Sequence, residues 1–532
     1  MAALGASAAS NSRPNIVVIL TDDMGWSDIG CFGSEIRTPN VDRLAANGLR
    51  FTQFYNTARC CPTRAALLTG LYSHQAGIGL MTGDRGFESY RGELNDRCVT
   101  LAEMLHLAGY STYAVGKWHV ACNVKPEGPK HDWPLQRGFD HHYGIISGAS
   151  QYFEPKHLTR DNAGFTWETD PEYKPKQFYL TDAFTDHAVK FVNQHAREQK
   201  GKPFFLYLAY TAAHWPIQAF EDDINAYNGQ YDAGYAAIRQ ARWQRQLKLG
   251  LVDPKWALSP TVGEWEKHPA PRWESRMMQT YAAMVSRMDA GVGHVMAALD
   301  QNALLENTVV FYLHDNGACA EPVGHEKPES VKLKPGARDT YLGYGRAWAN
   351  ASNTPWQFFK HWEHEGGIST PLIVHWPAGI PTGKNNTLVR DPGHLIDLMP
   401  TCVDLAKARY PVTFNGHRIQ PMEGISLVPA FTGQPLIRPQ PLFWEHEGNR
   451  AVRDGKWKLV SAYAQGVSEW ELYDLDADRT EMNSLVAAAP GKAAQLAAQW
   501  EAWAKRVGVQ PWPLKSVVPE SKGTGAEEKQ GH

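Results

Sequence analysis

The sequence predicts an α/β protein: a large domain on a mostly parallel central sheet flanked by helices, followed by a smaller antiparallel sheet with a helix. Three observations predict it. Short unbroken apolar runs, such as NIVVIL at 15–20 and FFLYLA at 204–209, read as strands covered on both faces. Helical patterns with start and stop signals lie between them, and that alternation belongs to a parallel sheet. Beyond residue 440 the pattern changes to apolar runs broken by turn residues, then one long helix.

The elements follow in order. The small, polar opening MAALGASAASNS lacks the basic start and apolar middle of a signal peptide, so 1–12 reads as a flexible end. After the 15–20 strand, CCPTRAALLTG at 60–70 reads as a helix with Pro62 in its first turn and Gly70 as its stop. In TLAEMLHLAG at 100–109, Thr100 and Glu103 have capping-box spacing, Leu101, Met104, Leu105 and Ala108 form one stripe, and Gly109 ends the helix. STYAV at 111–115 is the next strand. FFLYLA, a long helix over about 276–299, TVVFYL at 308–313 and PLIVHW at 371–376 continue the alternation. Between Phe220 and Pro271 a stretch with Trp243, Trp256 and Trp265 reads as a helical insertion whose aromatics pack it to its own domain. The catalytic domain is expected over 13–430. Over 431–515, two β-like runs in 441–460 join around Gly448 and Asn449, with a turn at Asp454 and Gly455, then EWELYDL (469–475) and a helix at 491–508. From 516 the chain is polar and charged and reads as a second flexible end.

Composition narrows the function. A length of 532 residues with 43% hydrophobic residues suffices for a large buried core. A formal charge of −3 with no basic run argues against nucleic acid as partner. The apolar runs are far shorter than the ~20 residues a membrane-spanning helix needs. Seven cysteines, with no CxxC or CxxH spacing, suggest no zinc site, and the odd count leaves at least one thiol unpaired.

The informative pattern is positional. In a parallel sheet, ligands bind beyond the carboxyl ends of the strands. Here the 15–20 strand runs into Asp22 and Asp23, the 111–115 strand into Lys117 and His119, the 204–209 strand into a loop with His214, and the 308–313 strand into Asp315 and Asn316. Asp22, Asp23, Asp315 and Asn316 are oxygen donors suited to a hard divalent cation, and the three carboxylates would repel without one. Calcium is expected, with magnesium the lesser candidate. Arg64, Lys117, His119 and His214 supply the opposite charge, as a tetrahedral anion held against a metal requires. The start of the 60–70 helix, with its free N–H groups, is an anion site that would acidify Cys60 or Cys61.

These residues resemble the type I, formylglycine-dependent sulfatases of the alkaline-phosphatase-like superfamily. Cys60 to Gly70 matches their C-x-P-x-R maturation motif, GYSTYAVGKWH (109–119) matches their second signature, and KHWEHEGG (360–367) completes the family order. The resemblance spans about residues 14 to 480. It implies that Cys60, which alone has proline two residues on and arginine four residues on, is oxidised by a maturation enzyme to Cα-formylglycine. It further implies that one hydroxyl of the hydrated aldehyde binds Ca2+ beside Asp22, Asp23, Asp315 and Asn316 and attacks sulfur, Asp315 helping to take its proton. His214 and Lys360 would contact the sulfate and protonate the leaving oxygen, His119 would deprotonate the second hydroxyl, Lys117 would bridge nucleophile and sulfate, and Arg64 would hold one or the other. His361 and His364 fit either substrate contact or loop packing, and His364 is carried as a substrate-binding candidate. By family habit the protein is exported, periplasmic or secreted.

The expected activity is hydrolysis of an organic sulfate monoester, a sulfated carbohydrate or an aryl sulfate. A phosphate or phosphonate ester hydrolase of the same superfamily is the alternative, although no second Asp/His metal set stands out beside His361 and His364. A cysteine-phosphatase loop is excluded, because it needs five residues between Cys and Arg and three are present. A carbohydrate-binding relative without catalysis is a third reading, prompted by 19 tryptophans.

Overall fold

The computed structural model describes residues 13–325, 327–464, 466 and 468–517. Of the expected flexible ends, 1–12 and 516–532, residues 1–12 and 518–532 lie outside the described residues. An eleven-stranded sheet organises the large domain. Its strands are β1 (Asn15–Thr21), β2 (Leu49–Tyr55), β3 (Ser111–Lys117), β4 (His141–Ile145), β5 (Leu158–Arg160), β6 (Ala163–Phe165), β7 (Phe204–Ala209), β8 (Thr308–His314), β9 (Ser369–His375), β10 (Thr387–Val389) and β11 (Gly393–His394). They stand in the order β10-β2-β9-β8-β1-β7-β3-β4-β5-β6, with β11 beside β2.

The sheet is mostly parallel and flanked by helices, as the alternation predicts. β8, β1, β7, β3 and β4 are parallel neighbours, so their carboxyl ends share one edge. β9 runs antiparallel to both β8 and β2. The segment entering β9 therefore arrives at the edge where β8 and β2 end. Alternation within β1 explains its unbroken apolar sequence: Ile16, Val18 and Leu20 enter one core, Val17 and Ile19 the other. Each such side chain, removed from water, contributes ~1.5–3 kcal/mol. The Cys60–Thr69 helix lies in the first core, and the helices Leu180–Glu198 and Pro271–Gln301 cover the second. Thr100 and Glu103 form the expected capping box, with Glu103 N–H donating to Thr100 Oγ1 at 3.0 Å and Thr100 N–H donating to Glu103 Oε2 at 2.7 Å. In the insertion, the Gly234–Lys248 helix sends Arg242 to Asp28 at 2.7 Å and to Glu35 at 2.7 Å, and Tyr235, Trp265 and Trp348 pack edge to face. Its aromatics thus serve packing. Among the described residues no helix is long and apolar enough to cross a membrane.

After a two-stranded ribbon of β12 (Thr413–Phe414) and β13 (His417–Arg418), the chain forms an antiparallel sheet of β14 (Leu442–His446), β15 (Asn449–Asp454), β16 (Trp457–Ser461) and β17 (Glu471–Asp474), with the Pro490–Val507 helix against it. Both of its faces carry residues of the first core, Phe443, Val452 and Leu459 on one and Trp444, Ala451 and Val460 on the other. A buried ionic knot joins this sheet to the segment before β9. Glu365 accepts from Lys458 at 3.1 Å, from Arg479 at 2.8 Å and from the Tyr55 hydroxyl at 3.0 Å, and Lys458 also meets Glu481 at 2.7 Å.

Burial pushes the Glu365 carboxyl up, but Lys458, Arg479 and Arg453 overrule it and hold it at about 2, against an ordinary 4.5. A carboxylate depressed on folding adds stability that is complete above its unfolded value and is lost as pH falls through its folded value. Glu365→Gln, which leaves Lys458 and Arg479 short of a partner, is expected to cost about 3–5 kcal/mol at neutral pH. Thermal melts should show the gap between wild type and variant narrowing as pH is lowered from 4.5 towards 2; a gap independent of pH would refute the ionic role.

Candidate active site

Six segments converge on the shared edge. β1 ends in Asp22 and Asp23, β8 in Asp315 and Asn316, β3 in Lys117 followed by His119, and β7 in the turn with His214; β2 leads into the Cys60 helix and the entry to β9 carries Lys360. All these side chains are buried.

Opposite charges pair throughout the cluster. Lys117 Nζ lies 2.6 Å from Asp22 Oδ2, and Arg64 Nη2 lies 2.9 Å from Asp315 Oδ2 and 3.5 Å from Asp22 Oδ2. Lys360 Nζ meets Asp23 at 2.9 Å, and Asn316 Nδ2 donates to Asp23 Oδ1 at 2.7 Å. His214 Nε2 stands 3.5 Å from Asp23 Oδ2, while its Nδ1 is 2.6 Å from the Trp215 carbonyl. Arg64, one turn into the helix, also donates to the Lys117 carbonyl at 3.0 Å. It therefore binds three strand ends together behind the pocket.

Two oxygens in this dense network have no hydrogen-bond partner: Asp22 Oδ1 and Asn316 Oδ1. Orphaned buried acceptors are costly, about 1–3 kcal/mol each. Both belong to residues of the predicted oxygen-donor set, which suits a hard divalent cation. The electrostatics agree. Burial, together with the charge of Asp22, pushes the Asp315 carboxyl well up; Asp22 is also raised by burial, against the pull of Lys117 and Arg64; Asp23 is lowered because Lys360 and His214 outweigh its burial. A cation among these oxygens would give Asp22 Oδ1 and Asn316 Oδ1 a partner and oppose the burial that raises the Asp22 and Asp315 carboxyls.

Cys60 opens its helix beside this cluster. Its thiol is held well below the ordinary range, chiefly by the Cys61 thiol donating to it, with burial opposing and Lys117, His119 and Lys360 assisting. Cys61 is pushed the other way by burial, and its Sγ lies 3.4 Å from His119 Nε2. Thr63 fixes the helix: its hydroxyl donates to the Asp315 carbonyl at 2.6 Å and accepts from the Thr57 N–H at 3.1 Å. His119 is presented in the left-handed region, with φ 56°, against Gly148, where an added Cβ would come within 2.4 Å of the imidazole.

One expected side chain stands elsewhere. His364 is buried, Nε2 3.3 Å from Glu471 Oε2 and the ring against Phe358, the loop-packing arrangement of its two expected readings. His364 begins the Glu365–Ile368 helix, and that turn carries it towards β17, away from Lys360. Sequence reasoning also missed Glu321, whose carboxylate joins Arg59 at 2.6 Å and Trp215 Nε1 at 2.7 Å beside the cluster. Arg59 adjoins Cys60 and Trp215 adjoins His214, and that adjacency was the available signal.

The family model for Sulfatase matches residues 14–408, and that for N-sulphoglucosamine sulphohydrolase, C-terminal, matches 355–503. The chain is 34% identical to an uncharacterised sulfatase of Schizosaccharomyces pombe over 97% of both chains, and 34% identical to an arylsulfatase of Klebsiella aerogenes over 80% of this chain and 93% of that one. Among solved structures, Ps i-CgsB aligns with a TM-score of 0.67 at 26% identity, covering 92% of this chain and 93% of that one. The same protein has been solved in complex with k-i-k-neocarrahexaose. With these likenesses added to the converging strand ends, the chain belongs to the sulfatase family of the alkaline-phosphatase-like superfamily and is a sulfuric ester hydrolase.

Proposed function

We propose that the protein hydrolyses sulfate monoesters of carbohydrates or aryl alcohols, with Cys60 as Cα-formylglycine and a Ca2+ held by Asp22, Asp23, Asp315 and Asn316. The observation that carries this reading is the pair of orphaned buried oxygens, Asp22 Oδ1 and Asn316 Oδ1, facing no donor inside a cluster that begins at Cys60. When present, the ion and the matured residue would supply a Lewis acid and a hydrated aldehyde as nucleophile. A formylglycine-generating enzyme is the implied partner in maturation.

The chain's own groups divide the remaining work. Lys117 and Lys360 stay charged, because Asp22 and Asp23 outweigh the burial that disfavours their ammonium forms. They would neutralise sulfate oxygens as the S–O bond breaks, from buried positions where such charges act strongly. His119, beside residues 60 and 61, is placed to accept a proton there. His214 is lowered to about 4 by burial, against Asp23, and is neutral in the ligand-free protein. An anionic ester would offset that burial, so His214 can join Lys360 in giving a proton to the leaving oxygen only once substrate is bound. Arg64 touches Asp315 and Lys117 and acts by positioning them. The carrageenan-type hexaose complex of Ps i-CgsB favours a sulfated glycan over a simple aryl sulfate as the physiological substrate class.

Four measurements check the reading. Mass spectrometry of the peptide containing Cys60, from a host with a maturing enzyme, should show a loss of about 18 Da, thiol to aldehyde; an unmodified thiol in active protein would overturn it. Cys60→Ala should lower kcat on p-nitrophenyl sulfate at least about a thousandfold with an unchanged circular dichroism spectrum, whereas Cys61→Ser should retain activity. Asp315→Asn should lose calcium and turnover together. Faster hydrolysis of p-nitrophenyl phosphate than of the sulfate by the same preparation would move the assignment to the phosphoryl branch.

A further inference from the structure

A second cluster of ligating side chains lies where the Lys360 loop meets the turn between β14 and β15. His361 Nδ1 is 2.7 Å from Glu447 Oε2, and His446 Nε2 is 3.9 Å from Glu447 Oε1. One ligating atom from each of the three residues falls within 4.8 Å of the others. The two imidazoles stand nearly perpendicular, 86° between planes with centroids 5.7 Å apart. This is the additional His and carboxylate set that no sequence pattern around His361 revealed, because its other half lies 85 residues further along the chain.

An ordinary ion pair accounts for His361 and Glu447 but not for His446. That side chain is fully buried, and neither ring nitrogen has a hydrogen-bond partner. An imidazole with both nitrogens orphaned costs about 1–3 kcal/mol for each group left unpaired. A cation bound at Nε2 removes one of those deficits directly. The cluster is also pre-arranged. Asn449 Nδ2 donates to the His361 carbonyl at 3.2 Å and to the His446 carbonyl at 3.0 Å, so one amide fixes both histidine backbones. The His361 N–H donates to the Ala58 carbonyl at 2.8 Å, anchoring the loop to the segment that starts the Cys60 helix.

The donor set determines the ion. Two imidazole nitrogens and one carboxylate suit zinc or a similar first-row transition ion, whereas calcium takes oxygen ligands throughout. Bonds of ~2.0–2.1 Å in a tetrahedron put ligands ~3.3–3.5 Å apart. The observed 2.7 and 3.9 Å bracket that spacing, so small side-chain rotations suffice. The His361 and Glu447 side chains are 32% and 23% exposed, which gives an ion its entry path.

We propose that His361, His446 and Glu447 form a second divalent-cation site, selective for zinc or a similar transition ion, that pins the β14–β15 turn to the Lys360 loop. Three protein ligands leave a fourth position for water or a ligand. The site is separate in residues and in ion chemistry from the Asp22–Asp23–Asp315 cluster, and it stands whether or not the calcium assignment does.

The test uses the full-length protein, stripped by chelation and returned to saturating Ca2+ so that the oxygen site is filled. Titration with Co2+ should give one equivalent of intense visible absorption, characteristic of low-coordinate nitrogen-ligated cobalt, which Zn2+ then displaces. His446→Gln and His361→Asn should each weaken that binding at least about tenfold, while Asp23→Asn should leave it unchanged. X-ray absorption on the zinc-loaded wild type should show two imidazoles and an oxygen ligand, and this readout holds even if a variant fails to fold. No cobalt uptake in the presence of Ca2+, equal uptake by wild type and His446→Gln, or sulfur in the zinc shell, as the Cys60–Cys61–His119 group would give, would each overturn the proposal.

Discussion

Everything at the active edge depends on three buried carboxylates. Asp22, Asp23 and Asp315 are buried and face Arg64, Lys117 and Lys360 at 2.6–2.9 Å. Burying such ions is costly, and the cost is recovered only when partners are placed well enough to satisfy them; removing one partner from a buried pair typically costs 3–5 kcal/mol. Three acidic and three cationic side chains cancel formally. A dication of the kind proposed would leave this balanced set net positive, the field that an anionic sulfate ester requires.

Topology makes that balance possible. Parallel β1, β3, β7 and β8 deliver their carboxyl ends to one edge, but parallel strands alone would bring neither Lys360 nor Cys60 there. The antiparallel β9 brings the loop before it to that edge, and β2, antiparallel to β9, sends the Cys60 helix the same way. The loop before β9 is then held from behind by the knot of Glu365 with Lys458 and Arg479. In this way the C-terminal sheet, remote in sequence, fixes the position of a cation in the pocket.

The sequence displayed what is local and periodic. β1, β3, β7 and β8 are rich in apolar residues because both faces are covered, and the polar groups of the cluster stand at or within five residues of their carboxyl ends. Less was legible where tertiary contact decides. β2, LRFTQFY, carries Arg50 and Gln53 within the strand, and their partners, Asn386 and Arg453, lie hundreds of residues away. β5, β6, β10 and β11 have two or three residues each, too few for a period. For His364 the sequence left substrate contact and loop packing open, because closeness to Lys360 in sequence says nothing about the direction of a side chain at a helix start. Glu321 and His446 were invisible for the converse reason: they reach the pocket region from segments with no motif of their own.

The loop from Phe358 to His364 is where these constraints meet. Phe358 and His361 have φ of 61° and 89°, conformations that non-glycine residues adopt at a cost of order 1–3 kcal/mol unless their surroundings enforce them. The enforcement is visible in each direction. The Lys360 N–H donates to the Ala318 carbonyl beyond β8, the His361 N–H to the Ala58 carbonyl before the Cys60 helix, and His364 meets Glu471 on β17. Lys360 itself reaches Asp23 at the end of β1. A loop tied to β1, β8, the Cys60 helix and the C-terminal sheet cannot shift without disturbing all four. The strained backbone accompanies the placing of one ammonium group, Lys360 Nζ, against Asp23, and the same loop ties the C-terminal sheet to the active edge.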